Sequence, residues 1–475
     1  SVNFDLFMSG PLLGPDSSIR WTRYRGSQQN GSCACTASLL DTTPTEGGFV
    51  GVTMKIISRI HTAMLYPMAR VIVGAQSEAQ RLRTLTKRPR VHFERPYQGQ
   101  RIVLLALYQK GELRPDLVRL LKAAKAQGLY VLGVNTLRLR DPENVRDLID
   151  CYIERPNFGR DFGSYKTGFL HLYARGWEKT CPRLLMINDS VYYSTRGLDK
   201  FLTDMTTSDV EVLGATENYE IEYHLGSFCI AMSQSVLAHE RLRKYWRKYP
   251  LTDVRPIVIK RGEMKLSKTL KRCVSVPNRF RALYSSDRFL NEICRSPELQ
   301  DLVIKDARTG PYYPVPRFSV EAVTKLLSGR FIAREYAISD KLEVSVDTPI
   351  KDLSKETLIT GREDLKRYLL RHVSDGDFQK FDPLLNDAMS AVFSEVFMRG
   401  SQIHQNAAIL LEMGLPIIKL DGMYRGMFNT YDVMRIQSKL PADEARELSA
   451  ILLERPYGGQ MLYGWKRAAF MKGLI

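Results

Sequence analysis

Apolar and polar positions follow two rhythms along this chain, and the change between them predicts its architecture. Over residues 52–72, Met54, Ile57, Ile60, Met64, Leu65 and Met68 recur at helical spacing, which predicts a helix. A basic connector, residues 86–95, leads into an apolar run over 101–107, the pattern of a strand buried on both faces. Strands and helices then alternate. A helix is expected at 115–127, opened by Pro115 and stopped by Gly128. A strand at 130–134, a helix at 142–149, a short strand at 152–153, a glycine-punctuated loop, a helix through 165–173 and a strand at 184–187 follow. Such alternation with short links predicts an α/β fold with a mostly parallel, doubly wound sheet.

After Lys200 the pattern predicts a short helix, strands at 210–214 and 228–232, and a helix at 235–249. Beyond about 275 it becomes helical and irregular, through 320–327, 362–371 and 384–397. The expected division is a loop and helical region over 1–95, a nucleotide-binding α/β domain over 96–275, a mainly helical insertion over 276–400, and a closing segment with a C-terminal helix over 401–475. The final stretch, 462–472, is amphipathic and basic. It is expected to pack as a helix, with a membrane surface as the alternative.

Composition narrows the class. With 44% hydrophobic and 25% charged residues this is a globular chain, and no apolar run reaches the roughly 18 residues of a membrane span. The seven cysteines are scattered, only Cys33 and Cys35 standing close, so a reducing compartment is expected rather than a disulfide framework. Metal binding by that pair is not expected, because no second pair completes a ligand set. The start of the chain shows no basic region followed by an apolar one, which leaves open what precedes Ser1.

The net charge of +17 asks for an anionic partner: nucleic acid, an anionic membrane or an anionic substrate. Basic residues cluster at 81–90, 241–248 and 260–272 without the interleaved aromatics of a nucleic-acid motif, so no nucleic acid is expected. A solvated basic surface is the plain reading; anionic lipid or a polyanionic acceptor is the functional one.

The chemistry concentrates between 157 and 190. Asn157-Phe-Gly159-Arg160-Asp161-Phe-Gly163-Ser-Tyr165-Lys166 is a polar, glycine-broken turn feeding a helix. Asp161-Phe-Gly163 alone matches a kinase element, but the glycine-rich loop, the strand lysine and the catalytic loop are missing, which excludes a kinase. Taken whole, the segment suits a nucleotide. Asn157 and Asp161 offer polar contacts, Gly159 and Gly163 let backbone amides come close, and Arg160 or Lys166 offsets phosphate charge. A capping turn in which Asp161 satisfies backbone amides is the competing reading. An apolar strand then ends in Asn188-Asp189-Ser190, at the edge where α/β sheets bind ligands. Asp189 there is the candidate ligand for a divalent cation, Mg or Mn, on a diphosphate, with Asn188 and Ser190 beside it.

These motifs, with Thr216-Glu217-Asn218, His224-Leu-Gly226-Ser227, Glu263-Met-Lys-Leu266-Ser267 and the stretch from Asn406 to Gly414-Leu-Pro416-Ile-Ile-Lys419, resemble the rhamnan synthesis protein F family. The resemblance covers about 100–280 and 400–420. It implies a GT-A-like glycosyltransferase, of hexosyl or rhamnosyl type, acting in bacterial cell-surface polysaccharide biosynthesis such as O-antigen or capsule. A nucleotide-diphosphate sugar would be the donor and a lipid-linked or polysaccharide glycan the acceptor, at the cytoplasmic face of the cell membrane. Two departures bear on the sugar: Gly226 stands where a larger polar residue is expected, and 280–400 reads as an insertion. In a single-displacement, inverting transfer one acid takes the acceptor proton. The candidates are Glu217, Glu263 and Glu220, with His224 as an outside choice. Glu217 is preferred because it follows a strand at the same sheet edge as Asp189. His404, Asn406 and Lys419 are expected near the site, Asn406 as core packing. A non-catalytic glycan- or nucleotide-binding scaffold is the alternative function.

Overall fold

The run Ile102–Leu107 divides its side chains between two cores, and the rest of the architecture follows from that split. Val103, Leu105 and Leu107 enter one hydrophobic cluster, whereas Ile102, Leu104 and Ala106 enter another on the opposite face. A strand apolar on both sides needs cover on both sides, which is the condition for helices flanking a parallel sheet. The structure, a computed structural model, describes residues 47–305, 307–309, 314–316, 323, 361–373, 378–455 and 457–475.

The strands are β1 (Arg90–Glu94), β2 (Ile102–Leu107), β3 (Tyr130–Asn135), β4 (Cys151–Glu154), β5 (Arg183–Asn188), β6 (Val191–Tyr193), β7 (Val212–Asn218), β8 (His224–Leu225), β9 (Cys229–Ser233) and β10 (Phe280–Tyr284). A hairpin, β11 (Ala307–Thr309) and β12 (Pro314–Pro316), and a late strand, β13 (Ile417–Lys419), complete the set among the described residues. The main sheet runs β1-β4-β3-β2-β5-β9-β7-β10, with β8 attached to β7. It is mostly parallel; β1 at the edge and β9 between β5 and β7 run the other way. The chain leaves β2 in one direction through β3 and β4, then resumes at β5 on the other side of β2. The carboxyl ends of β2 and β5 therefore form a topological switch point, where such sheets open a crevice.

Several expectations change. The basic connector contains β1, whose only fully buried residue is Phe93, so no apolar run announces this edge strand. The helix expected at 142–149 is a single 3-10 turn, Pro142–Val145. The helix expected at 235–249 is two, Gln234–Ala238 and Glu240–Lys248, and His239 caps the second by accepting from the Arg241 amide at 3.1 Å. Beyond 275, helices Ser286–Ile293, Pro297–Ile304 and Phe378–Met398 share the core of the sheet: Phe289 and Phe397 stack with ring centroids 4.2 Å apart. Of the helix expected at 320–327 only buried Val323 is described, and Cys33 and Cys35 lie outside the described residues. The C-terminal helix Gly464–Met471 packs on the long helix Gly47–Thr84, joining Ala69 and Val73 to Ala469, Leu474 and Ile475. Among the described residues no helix is long and apolar enough to cross a membrane.

Candidate functional site

The glycine loop after β4 is built around one buried arginine. Arg155, directly after the strand, donates Nε to Ser164 Oγ and its remaining nitrogens to the carbonyls of Pro156, Phe158 and Arg160. Burial pulls its pKa down to about 10, against the pull of Asp253 and Asp161. The glycines serve this frame. A Cβ on Gly163 would stand 2.6 Å from Arg155 Nη1, and one on Gly159 would stand 2.9 Å from Leu251 Cδ2. Gly159 takes φ +90°, and its amide donates to Asp253 Oδ1 at 2.7 Å. Neither glycine therefore offers a free amide to a nucleotide in the way the sequence suggests; close packing is what demands them. Asn157 gives its carbonyl to Gln80, and Lys166 its ammonium to the Tyr249 carbonyl at 2.7 Å.

At the end of β5 successive side chains diverge. Asn188 donates to Asp161 at 3.1 Å and accepts from the Ser190 hydroxyl at 2.7 Å; these three line the cleft. Asp189 points the other way. It is fully buried, its Oδ2 accepts from the Tyr108 amide at 2.7 Å and from Gln109, and its carbonyl accepts from Arg114. Burial raises its carboxyl to about 6. Only its Oδ1 lacks a hydrogen-bond partner among the described residues, and that atom is enclosed. One enclosed oxygen does not fit a magnesium or manganese ion on a diphosphate, which needs about six oxygen ligands and access to the phosphates. Asp189 instead clamps the switch point by tying β5 to the end of β2.

The cleft measures about 970 Å³ and opens beyond the carboxyl ends of the parallel strands. Of the residues expected at the site it holds Arg160, Asp161, Asn188, Ser190, Glu217, His224 and Glu263, while Asn157, Gly159, Gly163, Lys166 and Asp189 stand behind its wall. Its far side comes from the closing segment: β13 pairs antiparallel with β6, and Tyr219 donates to the Gly400 carbonyl at 3.0 Å. His404 and Lys419 line the cleft, whereas Asn406 is buried and donates to the Phe397 carbonyl at 2.8 Å, as core packing requires. Both imidazole nitrogens of His404 are occupied, by Ser401 at 2.9 Å and Asp421 at 3.0 Å.

The candidate acids differ in their surroundings. Glu217 accepts from the hydroxyls of Tyr219 and Tyr223 and from the Ser286 amide, so both of its oxygens are engaged. Glu220 also lines the cleft. Glu263 lies in a π-helical turn, Ile259–Met264, of the kind that often marks functional sites. Gly262 beside it rests on the Phe162 ring, which a Cβ would strike at 2.8 Å, so this glycine lets the turn close over the cleft. Among the described residues the nearest ion partner of Glu263 is His224 Nε2, 3.9 Å away. His224 gives Nδ1 to the Glu222 carbonyl at 2.7 Å, which leaves the buried Nε2 facing Glu263 without a hydrogen bond. Gly226, where a larger residue is expected, has no room for one: a Cβ would meet Phe228 at 2.6 Å.

Four residues that the sequence did not single out complete the site: Arg255, Arg425, Asp421 and Ser401. Burial favours a neutral Asp421, but His404, Arg425 and Lys419 outweigh it and hold the carboxyl well below the usual range. Away from the cleft, Glu94, Cys151 and His171 bring ligand atoms within 4.8 Å of one another, donor types that suit a metal. Arg175 already pairs with Glu94 at 3.1 Å, and His171 stands roughly 16 Å along its helix from the Arg160 end.

The family model described as Rhamnan synthesis protein F matches residues 130–274, the stretch that holds β3 through Glu263. A protein of Sinorhizobium fredii (strain NBRC 101917 / NGR234) named uncharacterized protein y4gN is 28% identical over 176 residues, 36% of this chain and 45% of its own length. Virulence protein VirA of Vibrio anguillarum (strain ATCC 68554 / 775) is 29% identical over 119 residues, 25% of this chain and 38% of its own length. The matches thus span less than half of each of these relatives. The resemblance carried by the motifs holds over residues 130–274, and in that part the chain is similar to rhamnan synthesis protein F, a family of polysaccharide synthesis.

Proposed function

We propose that this protein is a glycosyltransferase of GT-A-like fold. It moves a sugar, rhamnose or another hexose, from a nucleotide-diphosphate donor to a growing cell-surface glycan at the inner face of the bacterial membrane. The observation that carries this reading is the cleft at the switch point. Glu263, with His224 3.9 Å away, lines the same cleft as Asn188 and Ser190, and all four fall within the segment that matches the family.

Glu263 is the better base than Glu217, because a proton on Glu217 would displace the donors that already fill its lone pairs. In the transfer an acceptor hydroxyl oxygen attacks the anomeric carbon while the bond from that carbon to the diphosphate oxygen breaks. The bonding pair leaves with the diphosphate, and Glu263 takes the hydroxyl proton. Asn188 and Ser190 orient the donor. No step runs through a metal ion, since Asp189 does not fit one.

The test is release of nucleoside diphosphate from a panel of nucleotide sugars, with and without glycan acceptor. Release by the wild type and its loss in Glu263→Gln support the reading. Absence of release, together with no thermal shift from any nucleotide sugar, overturns it. A scaffold that binds without turnover is the second reading, favoured by the enclosed carboxylate of Asp189; binding unchanged in Glu263→Gln with no release by either protein selects it.

A further inference from the structure

We propose that Arg160, Arg255 and Arg425 form a diphosphate-binding site in the cleft, so that guanidinium groups take up the charge of the leaving group. The inference rests on the transfer reaction proposed above and names the part of the site that serves the departing diphosphate.

Three stretches of chain far apart in sequence bring these groups together. Arg160 opens the helix Arg160–Arg175, Arg255 opens the short helix Arg255–Val258, and Arg425 comes from the closing segment; all three line the cleft. The guanidinium groups repel one another: Arg425 acts on Arg160, and both act on Arg255. Asp421 lies in the field of Arg160, Arg255, Arg425 and Lys419 and is bonded to Arg425 at 2.6 Å and to His404. Arg255 forms no hydrogen bond or ion pair among the described residues, and the only one from the Arg160 guanidinium reaches the Asp253 carbonyl at 3.4 Å. Burial, together with repulsion from Arg425 and Arg160, pulls Arg255 down to about 10. Asp161 and Asp253 also act on Arg160, and Glu263 on Arg255, yet the three guanidinium groups still stand close enough to repel one another, and a polyanion relieves that repulsion at once.

Backbone conformation is a second, independent observation. Arg160 is one of two non-glycine residues with positive φ among the described residues, at 51°, a region that L side chains avoid. Arg155 holds it there by donating to its carbonyl. This unfavoured geometry keeps the Arg160 side chain at the cleft wall, at the mouth of a 16-residue helix whose positive end adds to the anionic preference. The chemistry is that of a diphosphate, whether carried by a nucleotide donor or by a lipid-linked acceptor.

Calorimetric titration of the whole protein in EDTA with UDP, GDP, dTDP, inorganic pyrophosphate and farnesyl diphosphate tests the site. The expected result is binding without added metal and a Kd raised about tenfold or more in Arg255→Ala and Arg425→Ala. Should Arg255→Ala fail to fold, Arg255→Lys takes its place, since the lysine keeps the charge but loses the planar fork, and the same direction is expected. A nucleoside diphosphate as the tightest ligand assigns the site to the donor, and farnesyl diphosphate alone assigns it to the acceptor. Binding that requires Mn or Mg, or that stays at wild-type strength in folded arginine variants, overturns the proposal. If the transferase reading fails instead, diphosphates still bind in an arginine-dependent way while no sugar is released.

Discussion

Lys419 Nζ donates to Ser190 Oγ at 2.7 Å, joining two residues 229 positions apart where β5 has just ended. Three paired residues of β13 and β6 bring the lysine there, and the Leu420 amide adds a bond to the Ser190 carbonyl. The closing segment is therefore fastened to the motif Asn188-Asp189-Ser190, and the cleft gains its far wall from this attachment. Lys419→Ala removes the donor and leaves the strand pairing intact. The expected loss is about 1 kcal/mol of stability. Sugar release should fall further than that loss explains, because the Ser190 hydroxyl keeps only its bond to Asn188 and the cleft loses a cation beside it. Thermal denaturation and initial rates, measured side by side, check both parts.

Glu263 and Glu217 should respond to amide substitution in opposite ways. Glu263→Gln changes a side chain without a hydrogen bond among the described residues, so the melting temperature should stay near wild type. Release should fall roughly 100- to 10,000-fold, the scale of a general base. Glu217→Gln sets an amide donor against Tyr219, Tyr223 and the Ser286 amide, and should cost about 1 to 3 kcal/mol of stability. Melting curves for both variants, with release rates for each, separate the reacting acid from the bracing one. Full activity in Glu263→Gln would return the role to Glu217.

Asp189 gives the fold a pH dependence of definite sign. Burial, opposed by Arg114 and by the bonds from Gln109 and Tyr108, raises its pKa from 3.8 to about 6. The folded state therefore holds a proton that the unfolded chain has released, and the associated stability is complete below about pH 4. It declines as pH rises toward 6, by about 3 kcal/mol in all, and changes no further above that. Asp189→Asn keeps an acceptor for the Tyr108 amide and cannot ionise, so its stability should be flat over the same window. The difference in denaturation free energy between the two proteins at pH 4, 5, 6 and 8 is the measurement. A constant difference across the series would remove Asp189 as the source.

The sequence was most legible where period and burial agree. Ile102–Leu107 and the stretch 184–187 are apolar on both faces, so strands, parallel sheet and site edge could all be read from them. β1 was hidden because only Phe93 enters a core, and the split of the helix at 235–249 because His239 caps as well as it continues. At the site, residue types were read more reliably than directions. Asn188, Asp189 and Ser190 share one motif, yet only the first and third face the cleft, since the turn after β5 sends Asp189 toward Tyr108. Arg255, Asp421 and Arg425 carry no local signal; their meeting depends on β13 pairing with β6 across more than two hundred residues. Of that wall only His404 and Lys419 were read from the sequence.

Arg155 is the residue on which the glycine loop depends, and two substitutions test that dependence from opposite sides. Gly163→Ala adds one methyl group 2.6 Å from Arg155 Nη1. An exposed arginine would swing aside, but this one is bonded to Ser164, Pro156, Phe158 and Arg160, so making room breaks several bonds at once. The expected loss is about 2 to 3 kcal/mol, the range of overpacking in a filled interior. Arg155→Lys keeps the charge with three donors in a tetrahedral array, which cannot reach a hydroxyl and three carbonyls set around a plane, so a comparable loss is expected. Both variants also free the Arg160 carbonyl, and with it the positive φ that holds the Arg160 side chain at the cleft. Pyrophosphate affinity should therefore weaken in both, below the temperature at which either melts. Hydrogen exchange over the helix Arg160–Arg175, together with pyrophosphate titration at 10 °C, reads the two effects apart. Wild-type protection and affinity in Arg155→Lys would show that the loop holds its shape without the Arg155 guanidinium.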